Sequence, residues 1–232
     1  LISPFYRFIL KPEENKLNEA EFKQEVERLG ISVEDQQMEL LEKFYQLLIE
    51  TNKTMNLTRI VDKKEVYLKH FYDSLTIVKI FDLNKANTLL DIGSGAGFPG
   101  IVLKIFFPHL KITLIDALQK RINYLNKVIE ALSLENISAE HLRAEELIRQ
   151  QKTFDVVTAR AVAALPKLLT WAMPLVSSQG AFIAMKGKIE EELVAAQDLM
   201  KKNQYVIERK ITFLLPKEES KRTLLLITRT KS

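Results

Sequence analysis

The sequence predicts an α/β protein with a doubly wound, mostly parallel sheet of seven strands and an N-terminal helical extension. Three observations favour this class. The chain has 232 residues, enough for one large domain with an appendage, and its 47% hydrophobic and 28% charged residues are typical of globular proteins. After residue 87, short runs rich in β-branched residues alternate with longer amphipathic stretches. Most of these runs are almost continuously apolar, as in parallel strands covered on both faces.

Residues 1–86 are predicted to form a helical head, and residues 87–232 a separate α/β domain. Three helices are predicted in the head: Leu17–Leu29, Glu34–Glu50 and Lys64–Phe81. The second repeats apolar residues at the spacing of one helix face, and the polar run Thr51–Thr58 is expected to connect it to the third. The third helix places His70 and Asp73 on one face.

Seven strands are predicted in the α/β domain: Thr88–Ile92, Lys111–Asp116, Ile137–Leu142, Phe154–Arg160, Ala181–Met185, Tyr205–Leu215 and Thr223–Arg229. Helices fit between the early strands, as in Lys120–Leu132, where apolar residues recur at three- and four-residue intervals. The last two strands are joined through Pro216 to Lys221, which leaves no room for a helix. We therefore expect these two strands to form an antiparallel hairpin.

Composition excludes several kinds of chemistry. The chain has no cysteine, so it has no disulfide, no thiolate-bound zinc or iron–sulfur site and no cysteine nucleophile. Its three histidines have no partners at the spacing of metal ligands, and no metal is expected. The formal net charge is +4, but residues 1–50 have a net charge of −5 and the remaining residues +9. This positive excess favours an anionic partner such as nucleic acid.

The stretch from Leu1 to Leu10 is apolar, but it includes Pro4 and Arg7 and lacks the basic start of a signal peptide. The first residue is not Met, so the first residues are expected to be flexible or foreign to the natural chain. Later apolar windows are interrupted by charges well short of the ~20 residues that a membrane span requires. We expect a cytoplasmic monomer that contacts no membrane.

A glycine-rich loop joins the first strand to a predicted helix. It reads Asp-Ile-Gly-Ser-Gly-Ala-Gly-Phe-Pro-Gly from Asp91 to Gly100. A strand, a tight glycine turn and a helix N-terminus together are typical of Rossmann-like nucleotide-cofactor sites. Two registers are open. Gly93, Gly95 and Gly97 match the pattern G-x-G-x-G. Gly95, Gly97 and Gly100 match the dinucleotide pattern G-x-G-x-x-G.

Acidic residues end the first two strands and follow the third. Asp91, beside the loop, would repel a pyrophosphate but attract the ammonium group of a bound amino acid. Asp116 is placed to accept hydrogen bonds from a ribose diol, and Glu145 is placed to address an adenine edge. S-adenosylmethionine carries an ammonium group, a ribose and an adenine but no phosphate. The three carboxylates therefore favour this cofactor over a dinucleotide.

Two basic residues are predicted as catalytic. Arg160 ends the fourth strand, where it could clamp a cofactor carboxylate or lie beside a target base. Lys186 follows the fifth strand on the same edge of the sheet and could contact a phosphate or the substrate. A plain solvated loop explains Lys186 equally well.

Several motifs together resemble the RsmG (GidB) family. They are the run from Asp91 to Ile101, Asp116 followed by Lys120-Arg121, Arg143-Ala144-Glu145, Ala159-Arg160-Ala161-Val162-Ala163 and Lys186-Gly187, and in the head Asn52, Asn56-Leu57-Thr58 and His70 with Asp73-Ser74-Leu75. The resemblance covers the chain from about residue 20 onward.

This resemblance implies a class I methyltransferase that uses S-adenosylmethionine to methylate N7 of one guanine in 16S rRNA of the small ribosomal subunit. The cofactor contacts that it implies by position are Gly93, Phe98, Ala144, Glu145 and Arg160. Asp91, Gly95 and Asp116 complete the predicted cofactor site. Guanine N7 is a ring acceptor that carries no proton, so its methylation depends on an in-line approach rather than on a base.

Three other functions remain open from the residues alone. A methyltransferase of the same fold could act on a small molecule or a protein, and RNA affinity that falls with salt would argue against it. An NAD-dependent oxidoreductase would use the register that ends at Gly100 and would bind the dinucleotide. A degenerate RNA-binding module would have no catalytic activity.

Overall fold

The computed structural model describes residues 16–230, so the apolar stretch from Leu1 to Leu10 lies outside the described residues. Seven strands form one sheet in the order β3-β2-β1-β4-β5-β7-β6. The strands are β1 Thr88–Ile92, β2 Lys111–Asp116, β3 Ile137–His141, β4 Phe154–Arg160, β5 Val176–Lys186, β6 Tyr205–Leu214 and β7 Lys221–Arg229. Strands β1 to β5 pair in parallel, and β7 pairs antiparallel with β5 and β6. The predicted sheet and its C-terminal hairpin are confirmed.

The head begins with two helices, α1 (Glu19–Arg28) and α2 (Asp35–Met55). Helix α2 continues past Glu50 through the first five of the eight residues that were expected to be a connection, so that part of the prediction is wrong. The physical reason is that Met55 lies two turns after the buried Leu48 and extends the apolar stripe of α2 onto the core. The helix ends where Asn56 adopts a left-handed conformation with φ 50°.

The third helical stretch of the head is not a regular α-helix. It consists of α3 (Lys63–Val66), a π-helix (Tyr67–Tyr72), α4 (Asp73–Leu75) and a 3₁₀ turn (Thr76–Lys79). Apolar residues of the π-helix are buried in the core. π-Helical turns are rare and occur often at functional sites.

Helices cover both faces of the sheet. Helices α5 (Gly100–Phe106) and α6 (Gln119–Ala131) share one face with the head and join it in one large core. Helices α7 (Ala144–Arg149), α8 (Leu165–Ala172) and α9 (Glu190–Lys202) pack a second core on the other face. None of the helices within residues 16–230 has the length and apolar character that crossing a bilayer requires. The strand order reverses between β1 and β4, and sheets of this kind bind ligands at the carboxyl ends of such strands.

The head packs directly on the glycine loop. The rings of Phe44 and Phe71, both in the head, lie 5.2 and 6.0 Å from the ring of Phe98, measured between centroids. A Cβ atom on Gly97 would lie only 3.1 Å from the Phe44 ring, so the absence of a side chain lets α2 approach the loop. The core is continuous across residue 86. We therefore propose that the division at that residue marks a change of architecture and not two independently stable units.

Candidate active site

Two cavities open at the carboxyl ends of the strands and meet at Gly93, which lines both. The large cavity has a volume of about 520 Å³ and lies between the head and the ends of β1, β4 and β5. The small cavity has a volume of about 270 Å³ and lies over the ends of β1, β2 and β3. Gly93 has φ +69°, and a Cβ atom there would lie 2.7 Å from Val162 Cγ2. A ligand that occupies both cavities must pass over this glycine, where a side chain would obstruct it.

Most amides of the glycine loop already donate hydrogen bonds within the protein. The first two donate to a carbonyl oxygen at the end of β2. Gly95 N–H donates to Asp116 Oδ2 at 3.0 Å, and Gly100 N–H donates to Asp91 Oδ2 at 3.0 Å. A pyrophosphate held by the dinucleotide pattern needs free amides at this helix N-terminus. Because a carboxylate takes that place, the geometry argues against the register that ends at Gly100.

Asp91 lies behind the glycine loop and lines neither cavity. Its side chain is fully buried, and Oδ1 has no hydrogen-bond partner among residues 16–230. Burial raises the pKa of Asp91 to about 6, although the hydrogen bond from Gly100 and the charge of Arg160 favour the ionised form. The carboxyl group thus connects the loop to α5. A direct contact between Asp91 and a cofactor ammonium group stays a prediction.

Asp116 and Gly95 lie where the loop meets the second strand. Asp116 lines the small cavity, and its Oδ2 also accepts a hydrogen bond from Arg121 at 3.1 Å. Its Oδ1 accepts one from Leu118 N–H at 3.0 Å. These bonds fix the carboxylate at the cavity edge, which is the position expected of a ribose partner. Gly95 lines the large cavity next to Gly93.

The small cavity is closed by the start of α7. Ala144 and Glu145 both line it, together with Trp171 of α8. Trp171 Nε1 donates a hydrogen bond to Glu145 Oε1 at 2.6 Å. The Glu145 backbone N–H, and then this indole bond, hold the pKa of the carboxyl group below its usual range. The structure therefore places an ionised acceptor on the wall of the small cavity, beside a tryptophan that was not predicted, and a contact between Glu145 and an adenine stays a prediction.

Arg160 reaches from the end of β4 toward the head. Its Nη1 donates to Lys69 O and to Asp73 Oδ2, both at 3.0 Å. Its guanidinium lies over the ring of Phe98 at 5.2 Å from the centroid. Arg222 of β7 donates from Nε to the other Asp73 oxygen at 3.0 Å. The buried Asp73 carboxylate therefore holds two arginines from two strands at one wall of the large cavity.

His70 stacks on Phe98 beside this pair. The two rings are 4.5 Å apart and inclined by 18°. His70 Nε2 lies 2.9 Å from Thr58 Oγ1, and Nδ1 lies 3.3 Å from Arg160 Nη2. Burial, and then the charge of Arg160, lowers the pKa of His70 to about 3, so the ring is neutral near pH 7. His70 and Asp73 were predicted to share one helix face, and both line the large cavity with Phe98.

Lys186 lines the large cavity at the end of β5. Its Nζ donates to Ala163 O at 2.8 Å and forms an ion pair with Glu192 at 2.8 Å. Glu192 also accepts a hydrogen bond from Leu165 N–H at 2.6 Å. Lys186 therefore holds the segment after β4 against α9, and a catalytic role for it stays a prediction.

The residues that the sequence analysis missed have partners far away in the chain. Glu145 and Trp171 are 26 residues apart, and Asp73 and Arg222 are 149 residues apart. No spacing rule links such pairs before the fold is known. A metal centre has no candidate within residues 16–230, where no group of three or more histidine or acidic side chains is arranged to hold an ion.

Solved structures with a similar fold include two methyltransferases. Precorrin-6y C5,15-methyltransferase from Geobacter metallireducens has a TM-score of 0.53 and 14% sequence identity, over 75% of this chain and 92% of that chain. Mitomycin 7-O-methyltransferase MmcR has a TM-score of 0.57 and 18% identity, over 81% of this chain and 60% of that chain. At such identities, the similarity concerns the fold alone.

Sequence relatives are much closer. Ribosomal RNA small subunit methyltransferase G of Bacillus velezensis is 45% identical over 220 residues, which are 93% of this chain and 92% of that protein. The protein of the same name from Bacillus subtilis is 44% identical over the same shares of both chains. The family model described as rRNA small subunit methyltransferase G matches residues 37–224. The chain therefore belongs to the GidB family, the family of rRNA small subunit methyltransferase G.

Proposed function

We propose that this protein transfers a methyl group from S-adenosylmethionine to N7 of a specific guanine in 16S rRNA of the small ribosomal subunit. The observation that carries the proposal is the pair of cavities that meet at Gly93, in a chain of this family. The small cavity has the acidic groups that suit an adenosine. The large cavity leaves room for both an amino-acid end and a base.

The described residues fit this donor. Glu145 offers a carboxylate to the amino group of an adenine, and Asp116 offers one to a ribose diol. Gly93 and Gly95 let a ligand lie against the backbone, next to Phe98 in the large cavity. When bound, the donor supplies an electrophilic methyl group on a sulfonium.

The acceptor places few chemical demands on the protein. Guanine N7 has a free lone pair and no proton, so no general base is needed, and the neutral His70 is not required to act as one. The contribution of the protein is to orient the base and the donor and to exclude water. Arg160 and Lys186 are proposed to contact the base or its phosphate, since both line the large cavity.

The direct test is incubation of the protein with labelled S-adenosylmethionine and small subunits that lack the modification, followed by mapping of the labelled base. We expect label at N7 of one guanine. Arg160→Ala should bring this transfer close to background while the circular dichroism spectrum stays native. Label on a ribosomal protein, on a small molecule or on another RNA position would contradict the proposal.

The alternatives receive less support. Membership of the family argues against a small-molecule or protein substrate, and the occupied loop amides argue against NAD. A ribosomal substrate would place the protein in the bacterial cytoplasm. We also propose that it acts as a monomer.

A further inference from the structure

Trp171 is the single tryptophan of the chain, and it forms one wall of the small cavity. It lies on α8, whereas Glu145 lies in the first turn of α7. The indole N–H donates to Glu145 Oε1 at 2.6 Å, which is a short bond to a charged acceptor. Lys167, one turn earlier on α8, holds its Nζ 5.0 Å from the centroid of the indole ring. The indole is thus fixed by contacts on its edge and on its face.

This bond determines which carboxylate oxygen faces a ligand. Apart from the backbone N–H of Glu145 itself, the indole N–H is the only group within residues 16–230 that donates a hydrogen bond to this carboxylate. With Oε1 held by the indole, Oε2 is the oxygen left for a donor in the small cavity. Without the indole bond, only its own backbone N–H would hold the Glu145 carboxylate, and the half-buried side chain would exchange between rotamers more freely.

An ionised acceptor distinguishes between purine edges. The exocyclic amino group of adenine donates a hydrogen bond, and a 6-oxo purine presents an acceptor at the same position. A carboxylate oxygen held toward that position therefore binds the adenine amino group and repels the oxygen of a 6-oxo purine. Discrimination of this kind depends on how firmly the oxygen is held.

We propose that Trp171 is a positioning residue for donor recognition: its indole N–H fixes the Glu145 carboxylate so that the free oxygen accepts a hydrogen bond from the adenine amino group. This inference rests on the proposed function, because it assumes that the small cavity takes the adenine of the donor. It adds a specificity role for a wall residue of the small cavity, which acts on the adenine through the carboxylate that it holds.

The test compares two ligands, S-adenosylhomocysteine and S-inosylhomocysteine, by calorimetric titration of the wild type and Trp171→Phe. Phenylalanine keeps an aromatic wall and removes the N–H group. We expect affinity for the adenine ligand to fall about fivefold to tenfold, the effect of one net hydrogen bond, while affinity for the inosine ligand changes little. A loss of packing alone would weaken both ligands equally and leave their ratio unchanged, which would overturn the inference.

Two controls sharpen the comparison. Lys167→Gln removes the cation over the ring but keeps the indole N–H, so the ratio of the two affinities should stay at the wild-type value. In a Glu145→Ala background, Trp171→Phe should have no further effect on the ratio, because the group that it positions is gone. A further fall in the ratio in that background would contradict the inference.

The fluorescence emission of Trp171 reports ligand binding without a measurement of enzymatic activity. Because no other tryptophan is present, S-adenosylhomocysteine should change the emission of the wild type with the same midpoint as the calorimetric titration. If the wild type binds neither ligand, both the proposed function and this inference fail. If it binds both and Trp171→Phe keeps the wild-type ratio, only the role of Trp171 fails.

Discussion

Asp91 is the most deeply buried of the acidic residues around the site. It is fully buried, Oδ1 has no hydrogen-bond partner in the described part of the chain, and burial raises its pKa to about 6 from an ordinary value near 4. A carboxyl group with a raised pKa in the folded state binds its proton more tightly there than in the unfolded state. Its contribution to stability is therefore complete at low pH and is lost as the pH rises from about 4 to about 6.

We predict that Asp91→Asn removes this pH dependence. The amide oxygen of asparagine can still accept the Gly100 hydrogen bond, and it does not ionise. The free energy of unfolding of the wild type, relative to that of the variant, should fall by about 3 kcal/mol at most between pH 4 and pH 7. Urea denaturation of both proteins across this range measures the difference. A difference that is flat or that rises with pH would contradict the burial argument.

Asp73 is the residue on which two arginines depend. Its side chain is 6% exposed, and the side chains of Arg160 and Arg222 are 15% and 22% exposed, so all three are largely removed from water. We predict that Asp73→Asn lowers the free energy of unfolding by about 3 kcal/mol, because both guanidinium groups lose their counter-charge in a partly buried position. Chemical denaturation near pH 7 measures this loss.

The matched control for Asp73 is Glu65→Gln. Glu65 pairs with Lys69 on the same helical stretch, but the two side chains are 31% and 24% exposed, and Lys69 keeps a second partner in Glu218. A change of about 0.5 kcal/mol or less is expected for this variant. Equal losses for the two variants would mean that burial does not set the strength of the Asp73 pairs.

At the scale of elements, α1 shows how the head depends on the rest of the molecule. Phe22 is fully buried, and its ring contacts the Tyr67 ring edge-on at 5.2 Å. We predict that Phe22→Ala lowers the free energy of unfolding by about 3–5 kcal/mol. Because the core continues into the sheet, the unfolding transition seen by Trp171 emission on the far face should shift together with the one seen by circular dichroism.

Val194→Ala serves as the control for this prediction. Val194 is 67% exposed on α9, and its truncation should change stability by less than about 0.5 kcal/mol. If Phe22→Ala shifted the circular dichroism transition and left the Trp171 transition in place, the head would be an independent folding unit. The proposal of a single cooperative unit across residue 86 would then be wrong.

The spacing of apolar residues in the sequence predicted those elements whose structure follows from local pattern. It failed where the structure of a segment depends on pairing with residues far away in the chain. The interior of β5 from Ala181 to Met185 is apolar and was predicted, but its polar start was not. That start is a strand because Val176 pairs with Phe154 across a register shift. In the same way, the third helix of the head was expected to be regular, whereas the structure has a π-helix at Tyr67–Tyr72.

In the site too, some features were predictable from the sequence and others depend on residues that are far apart in the chain. That Gly93, Asp116 and Glu145 lie around one cavity was predictable, because the carboxyl ends of parallel strands meet at one edge of the sheet. The direction in which Arg160 points was not, because Asp73 and Lys69 come from a helix of the head that the sequence alone does not place on β4. Trp171 was likewise visible only after α7 and α8 were packed together.

At the scale of the whole molecule, the charge asymmetry makes a quantitative prediction. The positive excess lies on the part of the chain after residue 50, and Lys188 is an exposed cation on the lining of the large cavity. RNA that enters this cavity would bring its phosphates close to Lys188. Binding of small-subunit rRNA should therefore weaken steeply with salt, since each neutralised phosphate releases counterions.

We predict that Lys188→Gln reduces the slope of log affinity against log salt concentration by about 1, whereas Lys201→Gln leaves it unchanged. Lys201 is also exposed but lies in the last turn of α9, about 16 Å along the helix from its first residue. Filter binding from 50 to 200 mM salt measures both slopes. Equal slopes for the two variants would place the RNA elsewhere on the surface. A loss at Lys201 alone would mean that the far end of α9, and not the mouth of the large cavity, faces the phosphates.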